Sequence, residues 1–191
     1  MKKVLERRVS GEALSEQEAH EVLLQIGNGG VNPSQIAAFL SSYWFNPIQV
    51  DELKGFVSAM MELAITVDLS EFDAMDVCGT GGDGKDTFNI STLASFITAG
   101  AGIKVAKHGN RSVSSKSGTA DVLEALGVNV NLTADKVASL VSEIGIAFMF
   151  APNFHPAMRY AAPVRKKLGV RTIFNVLGPL ANPASATNQV L

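Results

Sequence analysis

Two short stretches hold most of the residues able to do chemistry. Gly79-Thr80-Gly81-Gly82-Asp83 is followed by Thr87, Asn89, Ile90, Ser91 and Thr92. Lys107-His108-Gly109-Asn110-Arg111 is followed by Ser112, Val113, Ser114, Ser115 and then Thr119. Glycine lets main-chain N–H groups come close to a ligand, and hydroxyls and cations add donors around them. Phosphate oxygens are held best when such groups act together. No acidic residue occurs from Thr87 through Ala120, while Lys104, Lys107, His108, Arg111 and Lys116 all fall there. The whole chain carries a formal charge of −2, so this window is a local basic island and describes a site for a phosphorylated ligand.

Two familiar patterns overlap the first loop, and both fail on chemistry. Gly79 to Gly84 satisfies G-x-G-x-x-G, but the acid that should hold the ribose hydroxyls some twenty residues on falls in the acid-free window. Gly79 to Lys85 satisfies G-x-x-x-x-G-K, but Asp86 stands where a nucleotide triphosphatase needs a hydroxyl for magnesium. A plain glycine turn accounts for one or two of these glycines, not for four together with the polar run behind them. Lys107 and Arg111 could be solvated surface charges, but their flanks hold many donors and only Val113 as a bulky apolar residue. His108 reads equally well as a structural loop histidine. His155, before Pro156, reads as a capping or packing residue, and His20 as a surface residue. Arg165 lies beside an apolar helical stripe, where burial or carboxylate binding suits its fork of donors.

The elements that must position these residues follow from periodicity. Residues 1 to about 67 read as helices. Ser15 to Glu18 has the capping-box pattern, and Asn32-Pro33 and Asn46-Pro47 each read as a cap followed by proline at the first helical position. From about residue 74 the pattern becomes strand Ala74–Cys78, helix Ser91–Ala101, strand Ile103–Ala106, helix Thr119–Leu126 capped by Thr119 or Ser117, helix Thr133–Ile144 and strand Ile146–Phe150. Alternation of this kind implies a parallel sheet flanked by helices, with ligands at the carboxyl ends of the strands. Both loops sit at such ends. Pro156–Leu168 reads as one helix, with Ala157, Ala161, Val164 and Leu168 on a stripe, and the legible pattern ends at Asn175–Pro183. The fold class is therefore α/β: a small helical domain at 1–67, joined by helices from 156–183, and a larger α/β domain with a mainly parallel central sheet at 72–155, continuing at 184–191.

A chain of 191 residues, 47% hydrophobic and 18% charged, has the composition of a globular protein with a sizeable core. No apolar run reaches membrane-spanning length, and the basic start lacks the apolar stretch of a secretory signal. Cys78 is the single cysteine, so no intrachain disulfide forms. A cytoplasmic protein with no membrane partner is expected. The net charge argues against nucleic acid as a general partner.

The set GTGGD (79–83), NIST (89–92), KHGNRSVSSKSGTADVLEALGV (107–128) and PNFHPAMRYAAPVRKKLGVRTIFNVLGPLANP (152–183), with the helical start, resembles the anthranilate phosphoribosyltransferase family over nearly the whole chain. The resemblance implies transfer of phosphoribosyl from phosphoribosyl pyrophosphate to the anthranilate amine in tryptophan biosynthesis, with Mg2+ as cofactor and a homodimer built through the helical domain. It implies phosphoribosyl pyrophosphate contacts at Gly79, Gly82, Asp83, Thr87, Asn89 to Thr92, Lys107 to Ser115 and Thr119. It also implies anthranilate contacts at Gly79, Asn110 and Arg165, a magnesium contact at Ser91, and catalytic parts for Lys107, His108 and Arg165. Thr119 stands where serine is common in the family. Family chains are expected to run well beyond the position of Leu191 and to carry there an adjacent Asp-Glu pair for magnesium, which would limit catalysis by residues 1–191 alone. Three strands are expected here, with an open sheet edge.

Competing readings remain at this stage. A pyrimidine nucleoside phosphorylase shares the fold and a comparable glycine loop, but KHGNR and the Arg165 context favour the anthranilate enzyme. A non-catalytic paralogue binding nucleic acid would need a broader basic face. A third reading is an assembly fragment that dimerises through its helices and binds the donor weakly.

Overall fold

The computed structural model describes residues 1–79, 88–111 and 118–191. In chain order these form α1 (Lys2–Val9), α2 (Glu16–Gly27), α3 (Pro33–Phe45), α4 (Val50–Glu62), β1 (Met75–Val77), α5 (Ile90–Gly100) and β2 (Val105–Gly109). There follow α6 (Thr119–Ala125), α7 (Ala134–Ile144), β3 (Ile146–Phe150), α8 (Ala151–Phe154), a 3-10 turn (Pro156–Tyr160), α9 (Ala162–Leu168), α10 (Phe174–Leu180) and β4 (Asn188–Val190). The chain divides into two compact units. One comprises Met1–Ala64 with His155–Ala181, and the other Ile65–Phe154 with Asn182–Leu191.

The helical unit starts its elements by side-chain capping. Ser15 accepts from the Glu18 amide while the Glu18 carboxylate accepts from the Ser15 amide, and Asn32 accepts from the Gln35 amide ahead of Pro33. The third start signal is corrected. Asn46 ends α3, its side-chain amide donates to the Arg8 carbonyl at 2.8 Å, and Gln49 is the residue that precedes α4. Leu23, Ile26, Ile36, Phe39, Leu40 and Phe56 are fully buried in the core of this unit, with Ala161, Val164, Phe174 and Leu177 from the later segment. Phe39, Tyr43 and Phe56 meet edge to face, with ring centroids 5.4 to 6.0 Å apart. Gly55 lets α2 and α4 touch, since a Cβ there would lie 2.1 Å from the Glu16 carbonyl oxygen.

A buried ion pair fixes one end of this bundle. The Glu52 carboxylate accepts from the Arg8 guanidinium at 3.0 Å, the Leu14 amide at 3.1 Å, the Tyr43 hydroxyl at 2.9 Å and the Gln49 amide at 2.9 Å. Arg8 also donates to the Asn46 carbonyl at 2.6 Å and lies 4.1 Å from the Tyr43 ring centre. Four donors on one carboxylate are the kind of compensation a fully buried charge requires.

The expected single helix at 156–168 is instead a 3-10 turn and then α9. Pro163 supplies the reason: it has no N–H to give to the Arg159 carbonyl, so a continuous helix would lose a rung there.

The α/β unit holds a four-stranded sheet in the order β3-β2-β1-β4, with every pair parallel. β2 and β3 pair over five residues, from Val105 opposite Ile146 to Gly109 opposite Phe150. β4 pairs with β1 from Met75 opposite Asn188 to Val77 opposite Val190. The sequence reading has three strands and misses β4, whose residues are all exposed. Only the ladder reveals it, because periodicity reports burial. α7 begins at its Thr133 cap as expected, while α6 is preceded by Gly118, whose amide donates to the Asp121 carboxylate at 3.0 Å. Val67, Leu69, Ala106, Val137, Val141, Ala147, Met149 and Phe154 form the main core of this unit.

Candidate functional site

The described site residues of the α/β unit gather where β1 and β2 end. β1 stops at Val77 and the chain continues through Cys78 to Gly79. A Cβ on Gly79 would come within 3.3 Å of the Ser91 hydroxyl, so glycine is what allows the strand end to pass this close to the start of α5. Burial pushes the Cys78 thiol up to about 11, so it is no nucleophile at neutral pH.

Lys107 is not a loop residue, nor a surface charge. The expected strand ended at Ala106, but β2 runs from Val105 through Gly109, so Lys107 and His108 lie inside it and are buried, at 3% and 4% exposure. The Lys107 ammonium donates to the Val77 carbonyl and to the Ser91 hydroxyl, the latter at 3.1 Å. Burial pushes its pKa below the usual lysine range, and the Cys78 and Asp76 side chains oppose that shift. His108 is thus corrected from a loop histidine to a strand residue. Its main-chain N–H donates to the Asp76 carboxylate at 3.2 Å.

α5 and α6 begin side by side. Asn89 caps α5, its side-chain oxygen accepting from the Thr92 amide at 3.2 Å and the Thr92 hydroxyl at 2.8 Å. The Thr92 and Thr119 hydroxyls are 3.1 Å apart and buried, joining the first turns of the two helices. Ser91 lies on the same turn, with its hydroxyl 3.4 Å from the Asn89 oxygen. The Ile90 side chain is exposed. Gly109 closes β2, and a Cβ there would lie 3.0 Å from the Phe148 ring. Asn110 is exposed, and its side-chain oxygen accepts from the Arg111 amide at 2.7 Å.

Arg111 departs from the expected picture of a phosphate-facing cation. Its guanidinium grips the Glu124 carboxylate with two bonds, at 2.5 and 2.7 Å, and reaches Asp121 at 3.2 Å. It lies 5.4 Å from the centre of the Phe150 ring. The acids that neutralise it stand on α6, just past the acid-free window. Lys104 is also engaged, donating to the Ser142 carbonyl at 2.9 Å. Gly82, Asp83, Thr87, Ser112, Val113, Ser114 and Ser115 lie outside the described residues, as do both decoy motifs beyond Gly79.

Arg165 belongs to the helical unit. Its guanidinium lies 5.1 Å from the Phe174 ring centre, and burial pushes its pKa below the usual arginine range. His155 is buried in the same unit with its Nε2 2.9 Å from the Ala181 carbonyl oxygen, a packing role rather than a cap. His20 is corrected from a plain surface residue: its Nε2 is 2.9 Å from the Glu62 carboxylate.

The magnesium contact expected at Ser91 has no cluster of acidic partners among the described residues. No group of three or more His, Cys, Asp or Glu among them could hold a metal ion, and the Ser91 hydroxyl already faces the Lys107 ammonium. The residue that sequence reading missed is Asp76. It is fully buried and accepts from both the His108 amide and, at 3.0 Å, the Gln189 side chain. An acid inside the apolar run Ala74–Cys78 was the signal available.

Residues 2–64 match the helical bundle domain of the glycosyl transferase family, and residues 71–191 match the a/b domain of the same family. Among curated relatives, anthranilate phosphoribosyltransferase from Flavobacterium psychrophilum is 53% identical over 191 residues, which is 100% of this chain and 58% of the relative. The protein of that name from Salinibacter ruber is 53% identical over the full chain and 56% of its own length. The chain thus spans a little over half the length of these relatives. Among solved structures, anthranilate phosphoribosyltransferase from Thermus thermophilus superposes with a TM-score of 0.91 at 45% identity, covering 98% of this chain and 57% of that one. The Saccharomyces cerevisiae protein in complex with PRPP and Mg superposes with a TM-score of 0.87 at 30% identity, over 98% of this chain and 56% of that one. With both of its domains matched in order and the parallel sheet in place, the chain belongs to the glycosyl transferase family that joins a helical bundle domain to an a/b domain.

Proposed function

We propose that the protein of which these residues form part is an anthranilate phosphoribosyltransferase. It would move phosphoribosyl from phosphoribosyl pyrophosphate to the anthranilate amine and release pyrophosphate. One arrangement carries this reading: Gly79, Ser91 and Lys107 converge at the carboxyl ends of two parallel strands, next to the capped start of α5. A main chain without a side chain, a hydroxyl and a buried ammonium are what a charged, phosphate-rich donor requires. The identity to relatives of that name, and the yeast protein's complex with PRPP, support the choice of donor.

Displacement at the ribose C1 builds charge on the departing pyrophosphate, and Lys107 with nearby amides stabilises that charge. The anthranilate amine is aromatic and weakly basic, so it needs little help in losing its proton at attack. Positioning is then the main contribution of the protein. Asn89, Thr92 and Thr119 set the start of α5, and Asn110 and Gly79 sit beside the aromatic substrate. Arg111 is left out of the donor contacts because its guanidinium is already paired. Magnesium accompanies the donor in this proposal, as in the yeast structure, and no step is routed through it. A cytoplasmic homodimer joined through the helical unit completes the proposal. In its support, no described helix is long and apolar enough to cross a membrane, and Val9, Phe45 and Val50 expose apolar surface on that unit.

The test is calorimetric titration of the chain with phosphoribosyl pyrophosphate and Mg2+, followed by a fluorescence assay for loss of anthranilate. Saturable donor binding is the expected result. A folded chain that ignores the donor would overturn the reading.

A further inference from the structure

β1 and β2 share one register pair, Met75 opposite Val105, whereas β1 and β4 share three and β2 and β3 share five. Up to that pair the ladder is regular, with the Met75 amide donating to the Lys104 carbonyl at 2.8 Å. In a continued parallel ladder the Val77 amide would next donate to the Ala106 carbonyl, and the His108 amide then to the Val77 carbonyl. The last two of these groups are bonded to side chains instead. The His108 amide donates to the Asp76 carboxylate, and the Val77 carbonyl accepts from the Lys107 ammonium. Each strand thus lends a side chain to the other's main chain. A third side chain joins them: the Asn182 amide donates to the Ala106 carbonyl at 3.0 Å. Asp76 has a second grip, since its other oxygen accepts from Gln189 on β4.

A backbone N–H···O=C bond holds neighbouring strands about 4.8 Å apart. Routing the link through a carboxylate on one side and a lysine stem on the other leaves room for the chains to separate. The described chain runs on from here to Gly79 on β1's side and to Asn110 and Arg111 on β2's side. A buried carboxylate in the middle of a sheet is costly unless well bonded, and no catalytic or ligand contact has been assigned to this one.

We propose that Asp76 is a positioning residue: with Lys107 it takes the place of a ladder rung between β1 and β2, and so sets the spacing of the strand ends at Gly79 and Lys107, where the donor would bind. The part of the proposal that concerns ligand rests on the donor-binding reading above. The part that concerns the rung stands without it.

The experiment uses the full chain, as wild type, Asp76→Ala and Asp76→Asn. Amide hydrogen exchange is followed in peptides covering His108 and, as a control, β3, and affinity for inorganic pyrophosphate with Mg2+ is measured by calorimetry. Asparagine keeps an oxygen for the His108 amide, and Gln189 can turn its own amide oxygen toward the new NH2 group. The proposal expects Asp76→Ala to speed exchange at His108 at least tenfold while β3 stays protected, and to weaken pyrophosphate at least tenfold. Asp76→Asn should stay within about threefold of wild type on both measures. Unchanged exchange at His108 in Asp76→Ala overturns the proposal. So does equal loosening of β3, which would mark a general loss of stability. If wild type binds no pyrophosphate, the donor reading fails, and the exchange data alone decide the rung.

Discussion

Lys107 and Arg111 stand four residues apart in one basic stretch and meet opposite fates. Lys107 is buried and donates to two uncharged acceptors rather than to a carboxylate. Arg111 is answered by two carboxylates. Lys107→Met should therefore lower affinity for phosphoribosyl pyrophosphate at least tenfold by calorimetry, and Arg111→Ala less than about threefold. The reverse order would return Arg111 to the donor site. If Arg165 contacts anthranilate, as the resemblance implies, Arg165→Ala assayed in the complete enzyme should raise the anthranilate KM far more than the donor KM, and equal effects would remove that role. In the sequence the polar residues of the candidate site stand out through their types and order. The sequence could not tell which cation was spoken for, because Glu124 lies 13 positions beyond Arg111 and meets it only through the helix between them.

Elements were legible where local chemistry sets them. Ser15, Asn32 and Thr133 cap the helices they were expected to cap, and β3 has the expected bounds. The failures have non-local causes. Asn46 reads as a helix start because its bond to the Arg8 carbonyl is invisible in sequence, and β4 exists because β1 offers it a ladder. The buried network at Glu52 gives the clearest stability test. Glu52→Ala leaves Arg8 charged and unpaired, which costs about 3–5 kcal/mol, and should appear as a large fall in Tm of the helical unit. His155 gives a pH test. Burial lowers its pKa below 6.5, so the native histidine stays neutral where the unfolded one takes a proton. Its contribution is full above pH 6.5 and declines as pH falls from there toward the depressed value. The Tm of wild type should drop more between about pH 7.5 and 5.5 than that of His155→Gln.

At the scale of the molecule, Val9, Phe45 and Val50 are 79%, 80% and 68% exposed and lie close in sequence to Arg8, Asn46 and Glu52, which one network ties together. If this apolar end meets a second copy, Phe45→Asp should shift sedimentation toward the monomer mass without lowering Tm. The helical unit also has an interrupted chain: Ala161, Val164, Phe174 and Leu177 share a core with residues of the first 64. That arrangement has a consequence for birth on the ribosome. The first four helices emerge with their core incomplete, and the whole segment 65–154 must be synthesised before their missing partners appear. At roughly 5–20 residues per second that delay is about 5–20 seconds. Throughout it, a nascent bundle with unfilled apolar positions waits while the sheet is still being written, and a neighbouring nascent chain that has already made the later segment can supply its complement.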